Sequence, residues 1–110
     1  MGEITLKTKV ALIACRSYSQ EEVAHAVDTV VGLLGGGGIE GFSFREGFVL
    51  VKPNMLSPYP PDRAVTTHPV VVGAVLKLLR RSGAEVVVGD SPGHGSVFAV
   101  AAKCGIAAVC

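Results

Sequence analysis

Charge is scarce in this sequence. Asp, Glu, Lys and Arg make up 17% of its 110 residues, against roughly 25% in ordinary domains. What charge there is nearly cancels, leaving a formal net of +1. There is no basic stripe, so nucleic-acid binding through bulk charge is excluded. Aromatics are only 5%, with no Trp, which argues against a stacking platform for single strands. The three cysteines, Cys15, Cys104 and Cys110, form no C-x2-C pair. Neither a zinc site nor an iron–sulfur cluster can be read from them. So sparse and odd a set fits a reducing cytoplasm better than a disulfide framework. The start, Met1-Gly2-Glu3-Ile4-Thr5-Leu6-Lys7, has no apolar signal core. No apolar run approaches the ~20 residues of a spanning helix. The densest stretch, residues 69–79, is broken by Gly73 and Lys77. A membrane partner is therefore not expected.

What is present is apolar: 49% of residues, with 14 glycines among the rest. That suits a sheet covered on its faces, or a surface that expects a partner. Three short runs stand out: Val10-Ala11-Leu12-Ile13-Ala14, Phe48-Val49-Leu50-Val51 and Val86-Val87-Val88. Each is continuous rather than alternating, the pattern of strands buried on both faces. Their even spacing leaves room for a helix between successive runs, the rhythm of βαβ units. Ser19-Gln20-Glu21-Glu22 predicts a capped helix start, followed by Val23, Val27, Val30, Val31 and Leu34 at helical spacing. Gly35-Gly36-Gly37-Gly38 ends that helix and reads as a flexible connector. A second helix starts near Pro69 and stops at Gly83. A third follows Ser96, a good N-cap, and ends at Gly105. The last residues, Ile106-Ala107-Ala108-Val109-Cys110, read as the approach to a further strand. The expected fold is α/β, a three-layer βαβαβα arrangement with a short, mostly parallel, incomplete sheet. Residues 1–110 then form a single α/β domain, the N-terminal fragment of a larger protein. An unfinished sheet edge of this kind favours self-association.

In open α/β sheets ligands bind outside the carboxyl ends of the strands. After the second run come Lys52, Pro53 and Asn54; after the third come Gly89, Asp90 and Ser91. A long loop returns from Asn54 to Thr66, Thr67 and His68 at the start of the second helix. All of these, with His94, face one crevice. Lys52 presents a compact positive charge to a phosphate or carboxylate, or else pairs with Asp90 to pin the strands. Asp90 suits acid/base or metal chemistry, or caps its own turn. His68 and His94 are acid/base or ligand candidates, or helix and surface groups. Thr66 and Thr67 touch a ligand or cap the second helix. Gly93-His94-Gly95-Ser96 forms an anion nest or only a tight turn. No dinucleotide or P-loop glycine motif follows a strand. His25 lies on a polar helix face, and Cys15 reads as a small buried hydrophobe.

Three segments carry a family resemblance: Val49-Leu50-Val51-Lys52-Pro53-Asn54, Thr66-Thr67-His68-Pro69 and Val88-Gly89-Asp90-Ser91-Pro92-Gly93. In this order they resemble the N-terminal part of the Domain of Unknown Function 362 family, from about Val10 to Ile106. The first run adds little to the match, and no site role is carried onto Arg16 or Tyr18. The resemblance implies a site role for Lys52, Asn54, Thr67, His68, Asp90 and Ser91. Members are typically longer, and many continue into ferredoxin-like segments that bind iron–sulfur clusters. It implies no cofactor in this chain and a cluster, if any, elsewhere in a full-length protein. The expected function is a polar anion- or metal-binding crevice within a redox-linked, iron–sulfur-associated protein. The alternative is a non-catalytic interaction module whose polar edge is structural. Expected partners are the remainder of the parent chain or a second copy, and a small anionic ligand.

Overall fold

The computed structural model describes residues 7–35 and 48–110. The glycine connector at residues 36–38 lies outside the described residues. The centre is one βαβ unit. Strand β1 (Phe48–Val51) pairs in parallel with β2 (Glu85–Val88), with Phe48 opposite Glu85 and Val51 opposite Val88. Helix α2 (Pro69–Arg81) makes the crossover. Parallel neighbours need such a crossover, because a tight hairpin reverses the chain. Helix α1 (Gln20–Gly35) precedes the unit and packs along α2. Arg81 Nη2 and Asp28 Oδ1 tie the two helices at 2.6 Å. Helix α3 (Val97–Lys103) and a 3-10 turn (Ile106–Ala108) close the core. This is a mixed α/β fold with a short parallel sheet, as expected from the sequence.

The core sits beneath one face of the sheet. Met55, Val72, Leu76, Val100, Cys104 and Ile106 form it, with Val51, Val86 and Val88 packed on them. Apolar residues on α2 recur at helical spacing, so the helix offers Val72 and Leu76 to that core. Pro69 opens α2 where no amide donor is needed. Beyond its last residues Gly83 turns left-handed, with φ +82°.

Three expectations need correction. The run Val10-Ala11-Leu12-Ile13-Ala14 is not a strand: it carries no ladder, and Val10 and Leu12 are 81% and 92% exposed. An apolar run states a preference for burial, and only a facing strand edge converts it to a strand. Its exposure nevertheless alternates in the same sense as the strands, with Ala11 and Ile13 half-buried. Second, among the described residues β1 and β2 are covered on one face only. Phe48, Leu50 and Val87 stand exposed on the other among the described residues. Continuous apolar sequence cannot by itself distinguish one covered face from two. Third, the closing apolar run does not extend toward a strand. Gly105 at φ +85° turns the chain, Ile106 plugs the core, and Arg80 Nη2 donates to the Cys110 carbonyl at 3.0 Å.

That glycine gives a direct test. A Cβ at residue 105 would adopt a left-handed conformation and meet Pro69 Cγ at 3.2 Å. Gly105→Ala is expected to cost about 1–2 kcal/mol for the backbone alone. The midpoint and slope of urea denaturation check this; an unchanged midpoint would contradict it.

Candidate functional site

The parallel pairing brings the carboxyl ends of β1 and β2 side by side. Gly89 N–H continues the ladder by donating to the Val51 carbonyl at 3.1 Å. Lys52 therefore leaves the sheet next to Gly89 and Asp90. Its Nζ lies 2.6 Å from Asp90 Oδ1. The pair is asymmetric: the Asp90 side chain is 7% exposed and that of Lys52 65%. The second carboxylate oxygen, Oδ2, accepts from the Met55 N–H at 2.8 Å. The Lys52 ammonium, then the N–H groups of Met55 and Ser91, hold the Asp90 carboxyl at about 2, below its ordinary 3.8. Asp90 is thus a fixed anion at neutral pH, which aims Lys52 and anchors the chain beyond β1.

That chain forms a loop clasped at its neck. Asn54 N–H donates to Thr67 Oγ1 at 2.9 Å, and Thr67 N–H returns to the Asn54 carbonyl at 2.9 Å. Asn54 Nδ2 donates to the Val65 carbonyl at 3.2 Å. Met55 and Thr66 add an antiparallel bridge. Thr66 is buried, and its Oγ1 has no hydrogen-bond partner among the described residues. Neither threonine caps α2. The cap is His68, whose Nδ1 accepts from Val70 N–H at 3.2 Å, while its carbonyl takes Val71 and Val72 N–H.

The turn after β2 docks on the same loop. Gly93 and His94 both donate their backbone N–H to the Leu56 carbonyl, at 3.0 and 3.2 Å. Gly95 takes φ +78°, and Ser96 Oγ accepts from Ala99 N–H at 3.2 Å. The amides of Gly93 and His94 are thereby spent within the fold. Residues 93–96 shape the turn and cap α3, a helix of only 7 residues.

The structure thus joins Lys52 to Asp90 and Asn54 to Thr67. It sets Thr66, Thr67 and His68 along an open cleft of about 810 Å³. Ser91 and His94 are exposed at the turn. Sequence reasoning passed over Tyr18. Its ring lies flat on that of His68, with centroids 3.7 Å apart and planes 7° from parallel. The available signal was rarity: the chain has two tyrosines, and one falls just after an apolar run.

Among the described residues no three His, Cys, Asp or Glu side chains are gathered. The cysteines do not suit a cluster either. Cys104 is buried in the core, while Cys15 and Cys110 are exposed. Cys15 is therefore not the buried hydrophobe expected; its Sγ donates to the Ser17 carbonyl at 3.3 Å. The short strap from Cys15 to Tyr18 runs over the surface beside α1 and leaves the thiol outside the core. Among the described residues no helix is long and apolar enough to cross a membrane.

A thylakoid-associated protein of Synechocystis sp. is 37% identical over 92 residues, which cover 84% of this chain and 28% of that protein. The chain therefore spans less than a third of the length of the curated relative it matches. No solved structure matches it. The family described as Domain of unknown function (DUF362) matches residues 49–110, more than half of the sequence. That span holds β1 from Val49 onward, the clasped loop, α2, β2 and the turn, and so the whole Lys52–Asp90 edge. The chain belongs to this family.

Proposed function

We propose that this edge is a binding crevice for a small oxyanion, a carboxylate or a phosphate, within a larger redox-linked protein. One observation carries the reading: an exposed ammonium, Lys52, is held at 2.6 Å by a carboxylate that is itself buried. A cation fixed at the carboxyl end of a parallel sheet is pre-placed for an anion. Asn54, clasped to Thr67, and Ser91, beside Asp90 in the chain, supply polar neighbours, and His68 is a further hydrogen-bonding group in the cleft that Thr66 and Thr67 line. Asp90 then acts as the residue that positions Lys52. The absence of a gathered donor set among the described residues favours an anion over a metal here. The redox link and an iron–sulfur cluster rest on the family resemblance, and the cluster would be held outside these residues. The three free thiols support a cytoplasmic setting. The name of the Synechocystis relative makes thylakoid membranes the fraction to compare in a localisation experiment.

Calorimetric titration of inorganic phosphate and of acetate tests the crevice. Lys52→Ala is expected to weaken binding about ten- to a hundredfold, the worth of one charge-assisted hydrogen bond. Lys52→Arg, which keeps the charge, is expected to retain most of it. The second reading, a structural polar edge, is favoured by the fully engaged Asp90 carboxylate and the Asn54–Thr67 clasp. It wins if Lys52→Ala lowers the melting temperature while neither anion binds the wild type.

A further inference from the structure

The Tyr18–His68 stack joins two distant parts of the sequence. Tyr18 belongs to the segment ahead of α1 and lies outside the span that the family matches. Two constraints meet on the His68 ring. The stack fixes its plane, at 7° from that of Tyr18. The Val70 N–H, donating to Nδ1 at 3.2 Å, fixes which edge faces the helix. A neutral imidazole whose Nδ1 accepts must carry its proton on Nε2. The nitrogen left for a ligand is therefore a donor, Nε2–H. His68 lines the cleft together with Tyr18, Thr66, Thr67, Asp62 and Val71. An independent feature of the same cleft is unbalanced: buried Thr66 Oγ1 has no partner among the described residues. Buried hydroxyls ordinarily have one.

We propose that Tyr18 is a positioning residue, which locks His68 as an Nε2–H donor toward an oxygen acceptor bound in this cleft. The segment ahead of α1 then completes a site whose other members all lie in the family-matched part. The acceptor's class, a small carboxylate, rests on the anion-crevice reading; the locked tautomer does not. Exposure of Tyr18, at 60%, fits a residue kept for its contact with His68 and not for the core.

Nitrogen-15 imidazole spectra of the chain, recorded where histidine is neutral, read the tautomer directly. The wild type is expected to show a protonated Nε2 and an accepting Nδ1 at His68. Tyr18→Leu keeps apolar bulk and removes the aromatic face. Its His68 signals are expected to converge toward those of mixed tautomers, and Tyr18→Phe to restore the wild-type pattern. Acetate is expected to shift the wild-type Nε2 signal saturably, and to bind about fivefold more weakly in Tyr18→Leu, one neutral hydrogen bond. A wild-type tautomer pattern retained in Tyr18→Leu overturns the inference, as does a mixed pattern in the wild type. A lock that is lost in Tyr18→Leu, with no acetate response in either protein, sustains the positioning role and overturns the oxyanion reading instead.

Discussion

Asp90→Asn is expected to flatten the acid limb of the stability curve and to release Lys52. The folded carboxyl titrates at about 2 and an ordinary one at 3.8. As pH falls, the unfolded chain takes up this proton first. A depressed carboxyl therefore contributes stability that is complete above the ordinary value and is lost as pH falls through the folded one. In the wild type, stability should decline across that window, from 3.8 to about 2. Asparagine has nothing to titrate there, so this part of the decline should vanish in the variant. At neutral pH the amide can still accept from Met55 N–H, but it offers Lys52 no charge. Both the clasped loop and the placement of the ammonium should suffer. Urea midpoints measured at a series of pH values decide the matter. Parallel curves for the two proteins would show that Asp90 is not the group that titrates.

Leu76→Ala is the larger loss of plain stability. Leu76 lies midway along α2 with 0% exposure, among Met55, Val72, Val100, Cys104 and Ile106. Truncation removes apolar burial and leaves a cavity, for about 2–5 kcal/mol. Small domains hold only about 5–15 kcal/mol in total, so the variant should be unfolded in a large fraction or close to it. The site should fail with it, because His68 is the N-cap of α2 and Met55, whose N–H holds Asp90, packs in the same core. Leu50→Ala is the control. Leu50 is 62% exposed, and surface changes usually stay within about 0.5 kcal/mol. Equal losses at the two positions would mean that the core does not lie under this face of the sheet.

Much of the fold was legible because its signals are local. Ser19 accepts the Glu22 N–H at 3.2 Å, as the capping pattern implies. Ser96 caps α3, Pro69 opens α2, and Gly83 and Gly105 take the left-handed turns. Each of these needs only a few neighbouring residues. The strand reading succeeded for residues 48–51 and failed for residues 10–14, although both runs are equally apolar. The difference is pairing, which depends on a partner far away in sequence. The same holds within the site. The Lys52–Asp90 pair followed from parallel strands placing equivalent positions side by side. The stacking of Tyr18 on His68 did not, because it depends on where the chain ahead of α1 comes to lie. Nor could the spacing show that Leu56 would take up the amides of Gly93 and His94.

The neck formed by Asn54 with Thr67 and Met55 with Thr66 separates two duties along the loop. Asp90 and Tyr18 reach Lys52 and His68 from elsewhere in the chain, while within the loop the residue that binds Asp90 and those that lead into His68 lie at the clasp. The stretch from Pro60 to Ala64, with its own 3-10 turn, lies above it. Once a loop is closed at its base, doubling its length costs only about 0.6 kcal/mol in closure entropy. Segments can therefore be lengthened or exchanged above the neck while the residues below keep their places. An insertion between Pro60 and Ala64 should therefore change the lining of the cleft, to which Pro61, Asp62 and Ala64 contribute, without rebuilding the charged edge beneath it.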